Sequence, residues 1–406
     1  MFNRAIKRKF FVLPQSILLR GARQLLTLRG PDSARRGAAL RDLQIIEDGS
    51  VLIQDGVIAS VGPTRRIENL KTARGALEIP VEDRIITPGF VDANLHLSLQ
   101  RPESPNQPKR TADFYDESLL LLRSCLQHGT ITADVKGSAD NWSFHADIAV
   151  IRKLAKIGST PVRMTRTWRL GSQNGRLAPS DLRPTLEILI RRNLIDSIAV
   201  APRDKGDYDV DAIVTAQAAG LLLKLLWSGP SADDFIELLH SLNPHSVCLY
   251  DFDSVSPEAL GNSPAITVLA AGKRLFEGPV GTAGRDLVDA GAAIALSSGY
   301  QSVAAGNFSM QMSIALAVAR LGLTPEEAWS AATINAAYAA GYGDITGSLE
   351  AGKQADLLIL NVTDYREIPR QFGINHVAMV FRDGAMVLNR TRWRAPVEGP
   401  ASRMRS

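Results

Sequence analysis

The chain has 406 residues, 45% of them hydrophobic and 22% charged, which suits one large globular domain with a smaller one beside it. Its net charge of +4 comes partly from Arg4, Lys7, Arg8 and Lys9 at the start and from Arg390, Arg392, Arg394, Arg403 and Arg405 near the end. No basic stripe with aromatics is present, so no nucleic-acid partner is expected, and no apolar run reaches about 18 residues, so no membrane span is expected either.

Residues 1–16 read as a basic leader. The apolar stretch that follows is interrupted by Pro14, Gln15 and Ser16 and leads to no small-x-small cleavage site, so it reads as the approach to a strand and not as a signal peptide. Residues 17–85 alternate in the manner of strands, with Asp55-Gly56 between two apolar runs. Asp-Gly accepts positive φ at both turn positions and so predicts a hairpin.

From residue 86 to 345 the pattern changes. Eight short apolar runs, from "ITPGFVDANLHL" and "TITADVK" to "AITVLA" and "AIALSS", are mostly separated by amphipathic stretches. Near-continuous apolar strands alternating with helices predict a parallel sheet covered by helices, and eight such units predict a (β/α)8 barrel of the TIM type. Thr324-Pro325-Glu326-Glu327 predicts a capping box with proline at the first helical position, and Gly341 a helix stop. Residues 346–395 return to strands, with Asp383-Gly384 as a second hairpin signal, and 396–406 form a basic tail. The two flanks together predict a small β-sandwich built from both chain ends. The two cysteines, Cys125 and Cys248, lie in apolar runs and read as buried free thiols, which fits a reducing, cytoplasmic setting.

At this point the motifs become specific. "IITPGFVDANLHL" (Ile85–Leu97) resembles the first barrel strand of the amidohydrolases, Pro-Gly-x-x-Asp-x-His-x-His. "GSLEAGKQADLLIL" (Gly347–Leu360) is similar to that family's return from barrel to sandwich, and "ATINAAYAAG" (Ala332–Gly341) to its last helix. "HGTITADVK" (His128–Lys136) and the segment around "ALSSGYQ" resemble the imidazolonepropionase branch. The resemblance implies a divalent zinc or iron that lowers the pKa of bound water, histidines at strand ends that hold it, and an aspartate after strand eight. The reaction it implies is hydrolysis of a C–N bond in a cyclic amide or amidine, an imidazolone ring in the branch itself.

The departures fall on the implied metal site. The first strand offers Asn94 and His96 where two histidines are expected, and asparagine is a weak zinc ligand. Strand five, "LLLKLLWSG", has no histidine; the strand-five ligand position is Leu225 or Leu226. Strand six reads "SVCLYDFD", and Gly299 stands where strand eight should carry its carboxylate. The expected Lys-Ser-Gly-Tyr-Gly loop reads Lys136-Gly137-Ser138-Ala139-Asp140. Of the six histidines only His96 sits at a C-terminal strand end, and one imidazole does not replace the three protein ligands of a catalytic zinc. His96 therefore reads as vestigial; no metal and no other cofactor is expected, zinc or iron entering only if the chain is an active hydrolase.

The pocket candidates are Asn94, His96, Trp168, Trp227 and Tyr300, with Gly299 beside them. Asp251 and Asp253 follow strand six and could add a weak oxygen-rich site, though a solvated pair is the simpler reading. Lys136 and Lys224 are candidates for buried lysines, with snorkelling past the barrel rim as the simpler alternative. Amide and aromatic groups in a concave mouth suit a small planar ligand such as a cyclic amide. Two functions stay open: a pseudoenzyme that keeps a ligand- or partner-binding role, and an active hydrolase of carbon–nitrogen bonds with an atypical metal site. A homo-oligomer is compatible with either.

Overall fold

Both Asp-Gly signals fold as hairpin turns with positive φ, 49° and 85° at Asp55 and Gly56, 48° and 74° at Asp383 and Gly384. The two turns meet: a Cβ placed on Gly384 would lie 2.6 Å from the Gly56 Cα, so no side chain fits between them. The computed structural model describes residues 16–97, 111–136, 150, 152–154, 160–170, 179–202, 208–229, 231–250, 255–272, 283–300 and 306–392. The basic leader through residue 15 and the basic tail lie outside the described residues, as do Asp251 and Asp253.

The N-terminal strands are β1 (Ser16–Leu26), β2 (Ile45–Gln54), β3 (Val57–Pro63), β4 (Leu77–Pro80) and β5 (Ile85–Pro88). The next eight are β6 (Phe90–His96), β7 (Thr130–Lys136), β8 (Arg163–Leu170), β9 (Ser197–Val200), β10 (Leu222–Trp227), β11 (Ser246–Leu249), β12 (Ile266–Ala270) and β13 (Ala293–Ser297). The last are β14 (Leu357–Leu360), β15 (Val377–Arg382) and β16 (Ala385–Asn389). Strands from the two flanks form one sheet in the order β16-β15-β14-β5-β1-β2-β3, with β4 on β1. The β5–β14 pairing joins the two ends of the chain directly. The first apolar run is thus divided between two sheets at Gly89, where a Cβ would lie 2.3 Å from Ile131 Cδ1.

Strands β6 to β13 form an eight-stranded parallel sheet in sequence order, curled into a barrel. Alternation decides the two sides of each strand. Ala199, Leu226, Cys248, Val268 and Ala295 pack together inside, while Val200, Leu225, Trp227, Leu249 and Leu296 pack outward against the helices. The helix opened by the Thr324 capping box runs Pro325–Ala332 and breaks at Thr333 before Ile334–Ala339 begins. Thr333 turns its hydroxyl back to the Trp329 carbonyl at 2.7 Å, and its backbone leaves the helical region. The alanine-rich second piece then packs with Val91, Ile266 and Ala293 under the barrel, at the N-terminal ends of the strands. Among the described residues no helix is long and apolar enough to cross a membrane.

The barrel closes where β6 meets β13. Asp92 accepts from the Ser298 backbone N–H at 3.1 Å and from the Ser298 hydroxyl, and the His96 N–H donates to the Tyr300 carbonyl at 3.3 Å. Asp92 is completely buried, and burial raises its pKa against the effect of these donors. Asp92→Ala should leave a backbone and a side-chain donor without acceptor at the seam. We expect a loss of about 3 kcal/mol in urea unfolding; a loss under about 1 kcal/mol would show that backbone contacts hold the seam alone.

Candidate functional site

The barrel's C-terminal mouth is where the sequence places Asn94 and His96, and a bulge explains how both reach it. Asp92 pairs with Ala133 and Leu95 with Val135, so β6 carries one residue more than β7 between those pairs. An extra residue shifts the alternation of a strand. Ala93 belongs to the interior cluster, yet Asn94 and His96 also present their side chains to Tyr250, which follows β11. Asn94 Nδ2 donates to the Tyr250 hydroxyl at 3.1 Å, and His96 Nε2 lies 2.8 Å from the same oxygen. Asn94 Oδ1 is buried without a hydrogen-bond partner.

Tyr250 was not singled out in the sequence. Its signal is its place: it stands two residues after Cys248, just past the end of β11 and in phase with its inward face. Burial holds its phenol well above the ordinary range and pushes the adjacent Cys248 thiol up to about 11, so both are neutral near pH 7. Gly299 adjoins His96 through the Tyr300 carbonyl. It has φ +62°, and a Cβ there would lie 2.8 Å from the Ala270 Cβ. Tyr300 packs against Phe308 with ring centroids 6.4 Å apart.

A second polar group gathers inside the barrel from β7, β8 and β10. Lys136 Nζ and Lys224 Nζ donate to the same oxygen of Asp134, Oδ2, at 2.8 and 2.7 Å. The other carboxylate oxygen accepts from the Thr167 hydroxyl, which is 2.6 Å from Ser197 Oγ. The Lys136 and Lys224 side chains are 1% and 2% exposed, so neither snorkels; the Asp134 carboxylate, two residues before Lys136 on β7, gives each a reason to stay inside. Burial alone would raise the Asp134 carboxyl, but the two ammonium groups outweigh it and hold the pKa at about 2.

Trp168 and Trp227 are not brought to either group. Trp227 is fully buried on the outward side of β10, with its ring 5.4 Å from that of Phe235 on the helix Ala232–Leu242. Trp168 belongs to the same outer core, with Leu186 and Leu189. Leu225 also faces outward and Leu226 inward, so a strand-five ligand would have to come from position 226. Ser298 donates to Asp92 at the seam, and Ser297 donates to the Leu269 carbonyl, so neither serine is paired with a histidine or lysine in these contacts. Among the described residues no three His, Cys, Asp or Glu side chains gather as a metal would require.

The Asp134 carboxyl sits below its unfolded value near 4, so its contribution to stability is complete above pH ~4 and is lost as pH falls through about 2. Asp134→Asn should leave two buried ammonium groups without a counter-charge and cost about 3–5 kcal/mol at pH 7. Urea unfolding of both proteins should show this gap narrowing below pH ~4. A gap that stays constant down to pH ~2 would mean that Asp134 is not ionised in the fold.

Residues 203–387 match the model of the amidohydrolase family. The chain is 32% identical to an imidazolonepropionase of Deinococcus radiodurans, over 91% of this chain and 99% of that protein. It is 28% identical to one of Chloroflexus aggregans, over 92% and 99%. Among solved structures, molinate hydrolase superposes with a TM-score of 0.70 at 15% identity, covering 93% of this chain and 95% of its own. Escherichia coli guanine deaminase does so with 0.66 at 16% identity, covering 93% and 99%. At these identities the structural likeness speaks for the fold alone.

Proposed function

Because the chain belongs to the amidohydrolase family, in its imidazolonepropionase-like branch, we propose that it is a member which has given up metal-dependent C–N hydrolysis and keeps its barrel to bind a ligand or a partner. The observation that carries this reading is the Tyr250 hydroxyl between Asn94 and His96. In a family whose chemistry rests on first-strand imidazoles, the one histidine left there spends its Nε2 on a neutral phenol.

The donor set does not fit a catalytic zinc or iron. Asn94 is neutral, Leu226 has no donor, and Gly299 lacks the carboxylate that would bind metal and move a proton. Gly299→Asp would also meet Ala270 and force a left-handed backbone on a residue with a Cβ. No hydrolytic step is therefore derived for this site. The relatives named as imidazolonepropionases favour the competing reading, a hydrolase of a cyclic amide or amidine with an atypical site. A cytoplasmic setting accords with two buried free cysteines.

Elemental analysis of the full chain made in metal-supplemented medium separates the two. We expect well under one equivalent of zinc, iron or manganese, and no gain from Asn94→His or Gly299→Asp alone, because each leaves most of the ligand set missing. One equivalent of metal that disappears on His96→Ala would establish an atypical but working metal site.

A further inference from the structure

The helix Val210–Ala218, which follows β9, is apolar on two opposite sides. Ala212, Ile213 and Ala216 face the barrel and are buried. Val210, Val214 and Ala218, spaced four apart and so stacked in one stripe, are exposed. Val210 is 58% and Val214 57% exposed. Thr215 turns its hydroxyl back to the Asp211 carbonyl at 2.7 Å and so spends it within the helix. A helix apolar on both sides is suited to lie between two packed layers, and the described residues supply only the inner one.

The preceding helix, Pro179–Arg191, packs against it and adds Ile188, 44% exposed. Of the eight large apolar side chains exposed among the described residues, three therefore fall on two adjoining helices. The charges around them have a direction. The two helices flank β9, which is parallel to both of its neighbours, so they run the same way. Asp209 and Asp211 stand where the second helix begins, at the mouth end of the barrel wall. Arg191 and Arg192 stand where the first one ends, at the opposite end, and both are exposed. Arg183, at the mouth end of the first helix, is already 3.6 Å from Glu187. Acid and base thus occupy opposite corners of one apolar face.

We propose that a second copy of this chain docks on the face formed by Pro179–Arg191 and Val210–Ala218, as a two-fold dimer centred on Ile188, Val210 and Val214. The charge pattern selects this occupant. A two-fold axis lying in the face, across the line from acid to base, sets the aspartates of each copy against the arginines of the other. A partner of one sign would meet like charge at one corner. The apolar centre with a charged rim is the ordinary anatomy of such an interface. The face lies on the outer wall, whereas Asn94, His96 and Tyr250 lie inside the barrel. The dimer therefore does not rest on the loss of hydrolysis and holds whether or not the chain is an active enzyme.

The test is sedimentation velocity of the full chain across the micromolar range. We expect a species of twice the mass of one chain. Val214→Glu keeps a good helix former at an exposed position and should weaken association about tenfold or more, with the far-UV circular dichroism unchanged. Val210→Glu serves as the second variant if the first does not fold. Asp211→Arg should also weaken association, and Arg192→Asp added to it should recover the dimer. A wild-type chain that stays monomeric overturns the proposal without any variant. A dimer unchanged in a folded valine variant overturns it too, since the copies would then meet elsewhere. Failure of the paired charge reversal to recover what Asp211→Arg loses overturns the two-fold arrangement.

Discussion

The Asp92 carboxylate ties the first barrel strand to the eighth, and the arrangement of the mouth follows from that seam. It accepts from Ser298 on one side and from the Asn94 N–H on its own strand. The second contact lies at the bulge of β6, the feature that sends Asn94 and His96 toward Tyr250. The first brings Gly299 and Tyr300 against His96. A single buried acid thus closes the sheet and sets the neighbours of the one histidine at the mouth. Its burial raises its pKa, and the donors on Ser298 and Asn94 work against that shift.

A barrel interior must satisfy its own polar groups, because little water is available to do so. Two solutions coexist here. Near the mouth, neutral groups bond each other: amide, imidazole and phenol share the Tyr250 oxygen, with only Asn94 Oδ1 left over. In the other, charged groups gather on Asp134, which accepts from both Lys136 and Lys224. The first arrangement engages both Asn94 and His96 on one hydroxyl.

Local signals in the sequence carried most of the fold. The Asp-Gly turns, the capping box at Thr324 and the eight apolar runs each depend on a few adjacent residues, and each has its counterpart in the structure. What depends on contacts between distant segments was not legible. The division of the first run at Gly89 follows from Ile131, far along the chain, and the helix break at Thr333 from the need to turn under the barrel. Inward and outward faces were also hidden, because strands buried on both sides lack an apolar–polar alternation. Leu225 and Leu226 are indistinguishable by composition, and Trp227 looks like a pocket residue until its ring is found on Phe235. Lys224 shows its partner Asp134 only when β7 and β10 are curled around one space.

The account turns on which atom His96 Nε2 faces. Diffraction from crystals soaked in zinc, with an anomalous map recorded at the zinc edge, reads this directly. The account predicts no zinc peak within coordination distance of His96, with the Tyr250 hydroxyl at hydrogen-bond distance from both His96 and Asn94. A zinc peak on His96 Nε2, with Tyr250 swung away from it, would contradict the account.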